Sequence, residues 1–238
     1  MPEITLIIPA YNEAEHIGPC IESVQKNAPG FFKEIIVVDN ASTDGTGDIA
    51  AKFPVRVVRE NEKGLTHARQ KGYESASTDL IAYIDADCRM ADGWSYVVRE
   101  HFRAYPETVA LTGPVQYFDG PVYLRVLVEF VEWIVLPITY WMTGFLLIGG
   151  NFVAQKSAIK AAGEFDKSIK FYGEDADIGR RLSKVGSVYL RMHMVIYTSM
   201  RRFQHDGLVR TSGNYTLNFL SHIFLGRSVT HEYTDRRH

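Results

Sequence analysis

Three carboxylates, Glu174, Asp175 and Asp177, crowd four positions of the stretch FYGEDADIGRRL, residues 171–182. Like charges this close repel, so the cluster asks for a reason. Acids in a first helical turn are favoured by the helix dipole, by roughly 0.3–1 kcal/mol each. Three exceed what capping needs, and Gly173 leaves the backbone open just before them. In a desolvated cleft, repulsion raises the affinity of one carboxylate for a proton, which suits a general base. Local reasoning leaves both readings open.

A second pair of acids, Asp85 and Asp87 in YIDADC, follows the apolar run LIAYI. On an extended chain the two side chains fall on one side and present hard oxygen ligands. Mn2+ or Mg2+ held by one or two carboxylates and substrate phosphates is the matching chemistry, and a strand-to-turn cap is the plainer alternative. A third acid, Asp39, ends the run EIIVVD and opens NASTDGT. It suits hydrogen bonds to a base or ribose, while Asn40, Ser42, Thr43 and Asp44 also make an ordinary capped turn with Gly45. Arg69 and Lys71 lie on a helical pattern between the third and fourth strands. There Arg69 either reaches a phosphate or a carboxylate of the DxD loop, or sits on a solvated face.

The elements that must carry these residues are legible as an alternation. ITLIIP, EIIVVD, VRVVRE and DLIAYID are continuous apolar, β-branched runs, separated by helical patterns such as AEHIGPCIESVQKN and GLTHARQKGYESA. Runs of this kind are strands buried on both faces, so the fold class is α/β with a mostly parallel sheet flanked by helices. Ligands of open α/β sheets bind beyond the carboxyl ends of the strands, where Pro9–Glu13, Asp39–Thr46 and Asp85–Asp87 fall. Beyond residue 105, ALTGPVQY and GGNFVAQ read as strands. EDADIGRRLSKVG reads as a helix with an Ile178, Leu182 and Val185 stripe and Gly186 as its terminator. No GxGxxG fingerprint or GxxxxGK[ST] loop is present, which removes dinucleotide and Walker-type readings.

PAYNE at 9–13, VVDNASTDGT, the spacing of Asn61, Gly64, Ala68, Arg69 and Gly72, DADC, GGN at 149–151 and GED at 173–175 occur in one order. Each is weak alone. As a series, over roughly residues 3 to 190, they resemble the inverting glycosyltransferases of family 2, which have the GT-A fold. The resemblance implies a single catalytic domain over 1–190, with a nucleotide-binding half (1–105) and an acceptor-side half (106–190), and a basic region, 191–238, packed on or extending it. It implies that Pro9, Tyr11, Glu13 and Asp39 hold the nucleotide with Arg69 nearby. Asp85 falls near the ribose and Asp87 on a divalent ion at the diphosphate. Gly150 and Asn151 then line the sugar and acceptor site. Asp175 becomes the catalytic base, Glu174 an acceptor or sugar contact, and His205 a further metal ligand, with His193 the other candidate. The implied partners are a UDP- or GDP-sugar donor and a hydroxyl acceptor, a polyprenyl-linked or cell-envelope glycan among the options. The processive Q-x-x-R-W motif is missing, which favours addition of one sugar. A donor-making transferase and a non-catalytic nucleotide- or lipid-binding domain are the competing readings.

Composition sets the outer bounds. A chain of 238 residues, 46% hydrophobic and 23% charged, is long enough for one large core and is not a disordered sequence. Two cysteines offer at most one bridge, and the N-terminus has no basic leader, so a reducing cytoplasm is expected. Residues 180–238 hold ten Lys and Arg against three Asp and Glu, while residues 1–179 hold 16 against 25. The basic end suits an anionic partner, either phosphate, lipid headgroup or the protein's own acidic cleft. A nucleic-acid partner is not expected, since no recognition module is present. Between Glu132 and Lys156 no charged residue occurs. Pro137, Gly144 and the missing basic flanks argue against a span, so 133–150 is expected to be buried or to touch a membrane from one side through Trp133, Tyr140 and Trp141.

Overall fold

The structure, a computed structural model, describes residues 2–169 and 173–201 together with 207 and 221. The first half alternates as its pattern demands. Strand β1 (Ile4–Ala10) leads to α1 (Ala14–Asn27), β2 (Glu34–Asn40) to the short α2 (Thr46–Ala50), and β3 (Arg56–Glu60) to α3 (Leu65–Ser75), before β4 (Leu80–Ile84). Every residue of β1 and β4 is buried. Strands covered by helices on both faces need apolar side chains in both directions, which is why these runs do not alternate with polar residues.

The second half adds β5 (Arg89–Met90), α4 (Trp94–Ala104), β6 (Ala110–Thr112), β7 (Val115–Tyr117), the long α5 (Val122–Thr143), β8 (Asn151–Gln155), α6 (Lys156–Ala161), α7 (Glu174–Ser183), β9 (Val188–Leu190) and β10 (Ile196–Thr198). The main sheet runs β3-β2-β1-β4-β8-β6-β9. Only β8 is antiparallel to its neighbours, pairing Ile84 with Asn151 and Thr112 with Phe152. A three-stranded sheet, β5-β10-β7, closes one side. Two hydrophobic clusters cover the two faces of the main sheet, one around Ile8, Trp94 and Val153, the other around Ile7, Tyr83 and Phe152.

Several sequence expectations need correction. ALTGPVQY is two strands in two sheets, because Gly113 and Pro114 break it and a Cβ at Gly113 would collide with the Met194 carbonyl at 2.0 Å. Gly186 does not end α7 through a left-handed turn. It lies three residues past Ser183, and a Cβ there would meet Val109 at 2.5 Å, so close packing is what requires glycine. Val185 leaves the apolar stripe of α7 and is exposed. The stretch 133–150 divides: Phe145, Leu146 and Leu147 are buried, whereas α5 buries only Val128.

Candidate active site

The carboxyl ends of β1, β2 and β4 meet at one edge of the sheet, and their loops are tied to one another. Asn12 N donates to Ser42 Oγ, Glu13 N to Thr46 Oγ1, Ala14 N to Asp44 Oδ2, and Thr43 N to Asn12 Oδ1. Asn12 and Ala41, neither of them glycine, both adopt left-handed backbone here (φ 49° and 59°). Such conformations cost on the order of 1 kcal/mol or more and persist where surrounding bonds enforce them. Thus Ser42 and Thr43 do not cap a helix but tie the two loops together through Asn12, while Asp44 accepts the first amides of both α1 and α2, Ala14 N and Thr46 N. Asp39 is different: it is buried, accepts from Ser42 N at 3.1 Å and is paired with Arg59 at 3.0 Å. The Arg59 partner was not anticipated, although its place at the end of VRVVRE, one strand away from Asp39 in register, could have signalled it. Asn40 is also buried, donating to the Glu62 carbonyl and accepting from the Gly64 amide, so its side chain serves the fold. Pro9 is buried within β1, and Tyr11 lies on the rim with Lys63 Nζ 2.8 Å from its hydroxyl.

The DxD pair does not stand on an extended strand. β4 ends at Ile84, and Cys88 N donates to the Asp85 carbonyl to close a turn. The turn aims the two acids at different cations. Asp85 is bound by Arg69 Nη2 at 3.4 Å, and Asp87 by Arg201 at 2.9 Å. Arg201 also pairs with Glu13 at 2.6 Å, so it bridges the PAYNE loop and the DxD turn. The nearby His16 ring is held below its usual pKa by burial and by Arg201.

The acids of α7 separate just as clearly. Glu174 is buried and accepts from Arg69 Nη1 at 2.5 Å, while Arg69 itself is only 1% exposed. Burial pushes the Glu174 carboxyl up, to about 8, with Asp175 and Asp85 adding to the rise and the Arg69 guanidinium opposing it. Asp177 grips Arg181 at 2.5 Å, and that arginine donates to the carbonyls of Ala162 and Glu164. It is a structural clamp. Asp175 is partly open and, among the described residues, is committed to no ion pair; its Oδ2 lies 3.4 Å from the Gly149 amide.

Gly149 and Gly150 form the floor between these groups. A Cβ at Gly149 would stand 2.7 Å from Arg69 Nη1, and one at Gly150 would stand 2.7 Å from Asp85 Oδ2. Asn151 does not join them. Its side chain is fully buried, accepts from Trp94 Nε1 and donates to the carbonyls of Pro114 and Met194, so its polar atoms are spent inside the fold. The surface available to a ligand at GGN is the glycine backbone. His193 is exposed on the turn between β9 and β10, and His205 lies outside the described residues.

Among the described residues, Glu13, Asp85, Asp87, Glu174 and Asp175 converge on Arg69 and Arg201. Among the described residues no group of three His, Cys, Asp or Glu side chains could hold a metal alone. A hard cation coordinated by a carboxylate and completed by ligand phosphates fits this donor set, whereas an all-protein cage does not.

The family model for glycosyl transferase family 2 matches residues 5–160, which include the crevice loops, the DxD turn and the GGN floor. The chain belongs to glycosyl transferase family 2. Among curated relatives, the glycosyltransferase AglE of Haloferax volcanii is 36% identical over 101 residues, 40% of this chain and 33% of that protein. The dolichol-phosphate mannosyltransferase of Pyrococcus furiosus is 37% identical over 90 residues, 36% of this chain and 26% of that protein. These alignments thus span a third or less of the curated relatives' length. A solved mannosyltransferase of Pyrobaculum calidifontis, in complex with GDP-Man and Mn2+, superposes with a TM-score of 0.67 at 20% identity, over 94% of this chain and 64% of that one. Glucosyl-3-phosphoglycerate synthase of Mycobacterium tuberculosis, in complex with Mn2+, UDP-glucose and phosphoglyceric acid, gives 0.62 at 18%, over 93% and 80%. Likeness at these identities establishes the fold, and this family-2 chain has the GT-A architecture.

Proposed function

We propose that this chain transfers a single sugar from a nucleoside-diphosphate sugar to a hydroxyl acceptor, with inversion, and that Asp175 takes the acceptor's proton. One observation carries the reading: neighbouring acids on α7 have opposite surroundings, Glu174 locked inward on Arg69 and Asp175 left partly open beside the Gly149 amide. A base must reach the hydroxyl it deprotonates, and of the three acids on α7 Asp175 has that freedom. In the reaction the acceptor oxygen bonds to the anomeric carbon as the bond from that carbon to the diphosphate oxygen breaks. The acceptor proton passes to Asp175 and the nucleoside diphosphate leaves.

The remaining residues bind and orient. Asp39, itself steadied by Arg59, is suited to hydrogen bonds from the nucleoside, with Tyr11 and the backbone at Pro9 forming the adjoining wall. Asp85 serves the ribose side, and Gly150 lets the sugar approach the backbone. Glu174 acts on the reaction through Arg69, whose charge lies next to Asp85 and the diphosphate path. Asp87 would hold Mn2+ or Mg2+ with the donor's phosphates, and His205 remains a proposed further ligand. When bound, the ion supplies positive charge against the negative charge that grows on the departing diphosphate. Glu13 and Arg201 lie beside that carboxylate, and Arg201 offers a second cation to the same phosphates. UDP- and GDP-sugars are the proposed donors, supported by the ligands of the two structural neighbours. A lipid-linked acceptor is supported by the course of the chain, which runs from the apolar α5 through Phe145–Ile148 directly to Gly149 beside Asp175.

The test is Asp175→Asn, assayed for release of nucleoside diphosphate from UDP-glucose and from GDP-mannose with Mn2+. A loss of at least about a hundredfold, of the size a missing general base gives, with nucleotide binding intact, is the expected outcome. Turnover near that of the wild type would remove Asp175 from the role.

A further inference from the structure

Helix α5 is built inside out. Its charged residues, Arg125, Glu129 and Glu132, turn toward the protein: Arg125 donates to the Tyr117 carbonyl, Glu129 accepts from Tyr117 N at 3.1 Å, and Glu132 accepts from the Tyr117 hydroxyl at 3.1 Å. Tyr140 follows on the same side, donating to the Val188 carbonyl. The outward arc carries only apolar side chains, among them Tyr123, Phe130, Trp133, Ile138, Trp141 and Met142, with Trp141 84% exposed. A helix on a water-facing surface has the reverse arrangement. Monomers in water rarely expose contiguous apolar patches beyond a few hundred Å2. This patch is on the order of 1,000 Å2, since about a dozen large side chains each expose about half or more of their surface.

Its shape decides between occupants. At 3.6 residues per turn the exposed positions sweep roughly 220° of the helix. A second copy laid along α5 covers a stripe of about 100° and leaves the flanks in water. A medium into which the helix sinks sideways covers the whole arc. The helix ends in indole and phenol rings, which prefer a boundary between apolar and wet surroundings. Among the described residues no helix is long and apolar enough to cross a membrane, and the three inward charges of α5 would have no place in a span. The chain's excess of basic residues beyond position 180 adds attraction to an anionic headgroup layer.

We propose that α5 is a membrane-docking helix, lying in the plane of a lipid surface with its apolar arc in the boundary between headgroups and acyl chains. It holds the protein on the bilayer by the element that leads, through residues 145–148, into the floor of the active site. The inference does not use the proposed reaction and stands whether or not the chain proves to be a transferase.

Full-length protein mixed with vesicles of phosphatidylcholine and phosphatidylglycerol tests it. Of the three tryptophans, Trp94 is buried, so a change in emission reports Trp133 and Trp141. Docking predicts co-flotation with the vesicles, a blue shift, and quenching by brominated acyl chains. The double variant Ile134→Glu, Trp141→Glu changes only exposed positions, so its melting temperature should be unchanged while partitioning falls at least tenfold. Failure of the wild type to float, or equal partitioning of the double variant, overturns the proposal. So does a dimer in solution that Trp141→Glu dissociates in protein that ignores vesicles, for the arc would then belong to a second copy.

Discussion

Glu174, Asp175 and Asp177 look equivalent in a string of letters, yet folding makes one an ion-pair partner, one a candidate base and one a helix clamp. Their type and spacing were readable because adjacent acids are costly without a use. Their directions were not, because the residue that sorts them, Arg69, is 105 positions away from Glu174. Asn151 teaches the converse lesson, since its motif suggested a ligand contact while its amide stitches β8 to the second-half loops. At this scale Arg69 is the sharpest stability probe. Arg69→Met removes the cation that faces the buried Glu174 and the half-exposed Asp85. Breaking one partner of a buried pair costs about 3–5 kcal/mol, so urea unfolding at pH 9, above the raised value of the Glu174 carboxyl, should show a loss of that size. A loss below about 1 kcal/mol, the range of a surface pair, would mean that the pair contributes little.

Elements were legible wherever periodicity alone decides them. The four strands of the first half and the helices between them follow their patterns because both faces of the sheet are buried. The DxD segment escaped, since two alternating acids after a strand look extended until the Asp85–Cys88 turn is seen. Helix α5 was legible only in part, its apolar run 133–150 offering either burial or contact with a membrane from one side. An apolar run reads as buried when water is the assumed surroundings, and the inverted placement of Arg125, Glu129 and Glu132 becomes evident only once the inner side is known. One of those acids supplies a prediction in pH. Burial raises the Glu132 carboxyl from 4.5 to about 7, with Glu129 adding to the rise and the Tyr117 hydroxyl opposing it. The folded state therefore binds this proton more tightly than the unfolded chain. Stability from this group is full below about pH 4.5 and is lost as pH climbs through 7. Glu132→Gln should abolish the slope and leave the variant more stable than the wild type at pH 8, by up to about 3 kcal/mol. Parallel pH–stability curves for the two proteins would refute the assignment.

Across the whole molecule, charge and topology point to the same edge of the sheet. The acidic excess of the sequence lies in residues 1–179 and the basic excess in 180–238, and from the basic part Arg201 bridges Glu13 on one crevice loop to Asp87 on another. The family and fold were legible because an ordered series of weak motifs is far more specific than any member of it. What stayed hidden was the pairing of distant charges across the crevice, which only the folded chain creates. A donor site at this edge is best probed by calorimetric titration of UDP and GDP, each with Mn2+ and with chelator, into the wild type, Asp39→Ala and Asp87→Ala. Metal-dependent binding of one nucleotide is expected, weakened at least tenfold by Asp39→Ala and stripped of its metal dependence by Asp87→Ala. Absence of binding under every condition, or binding that neither substitution alters, would contradict a nucleotide-sugar site here.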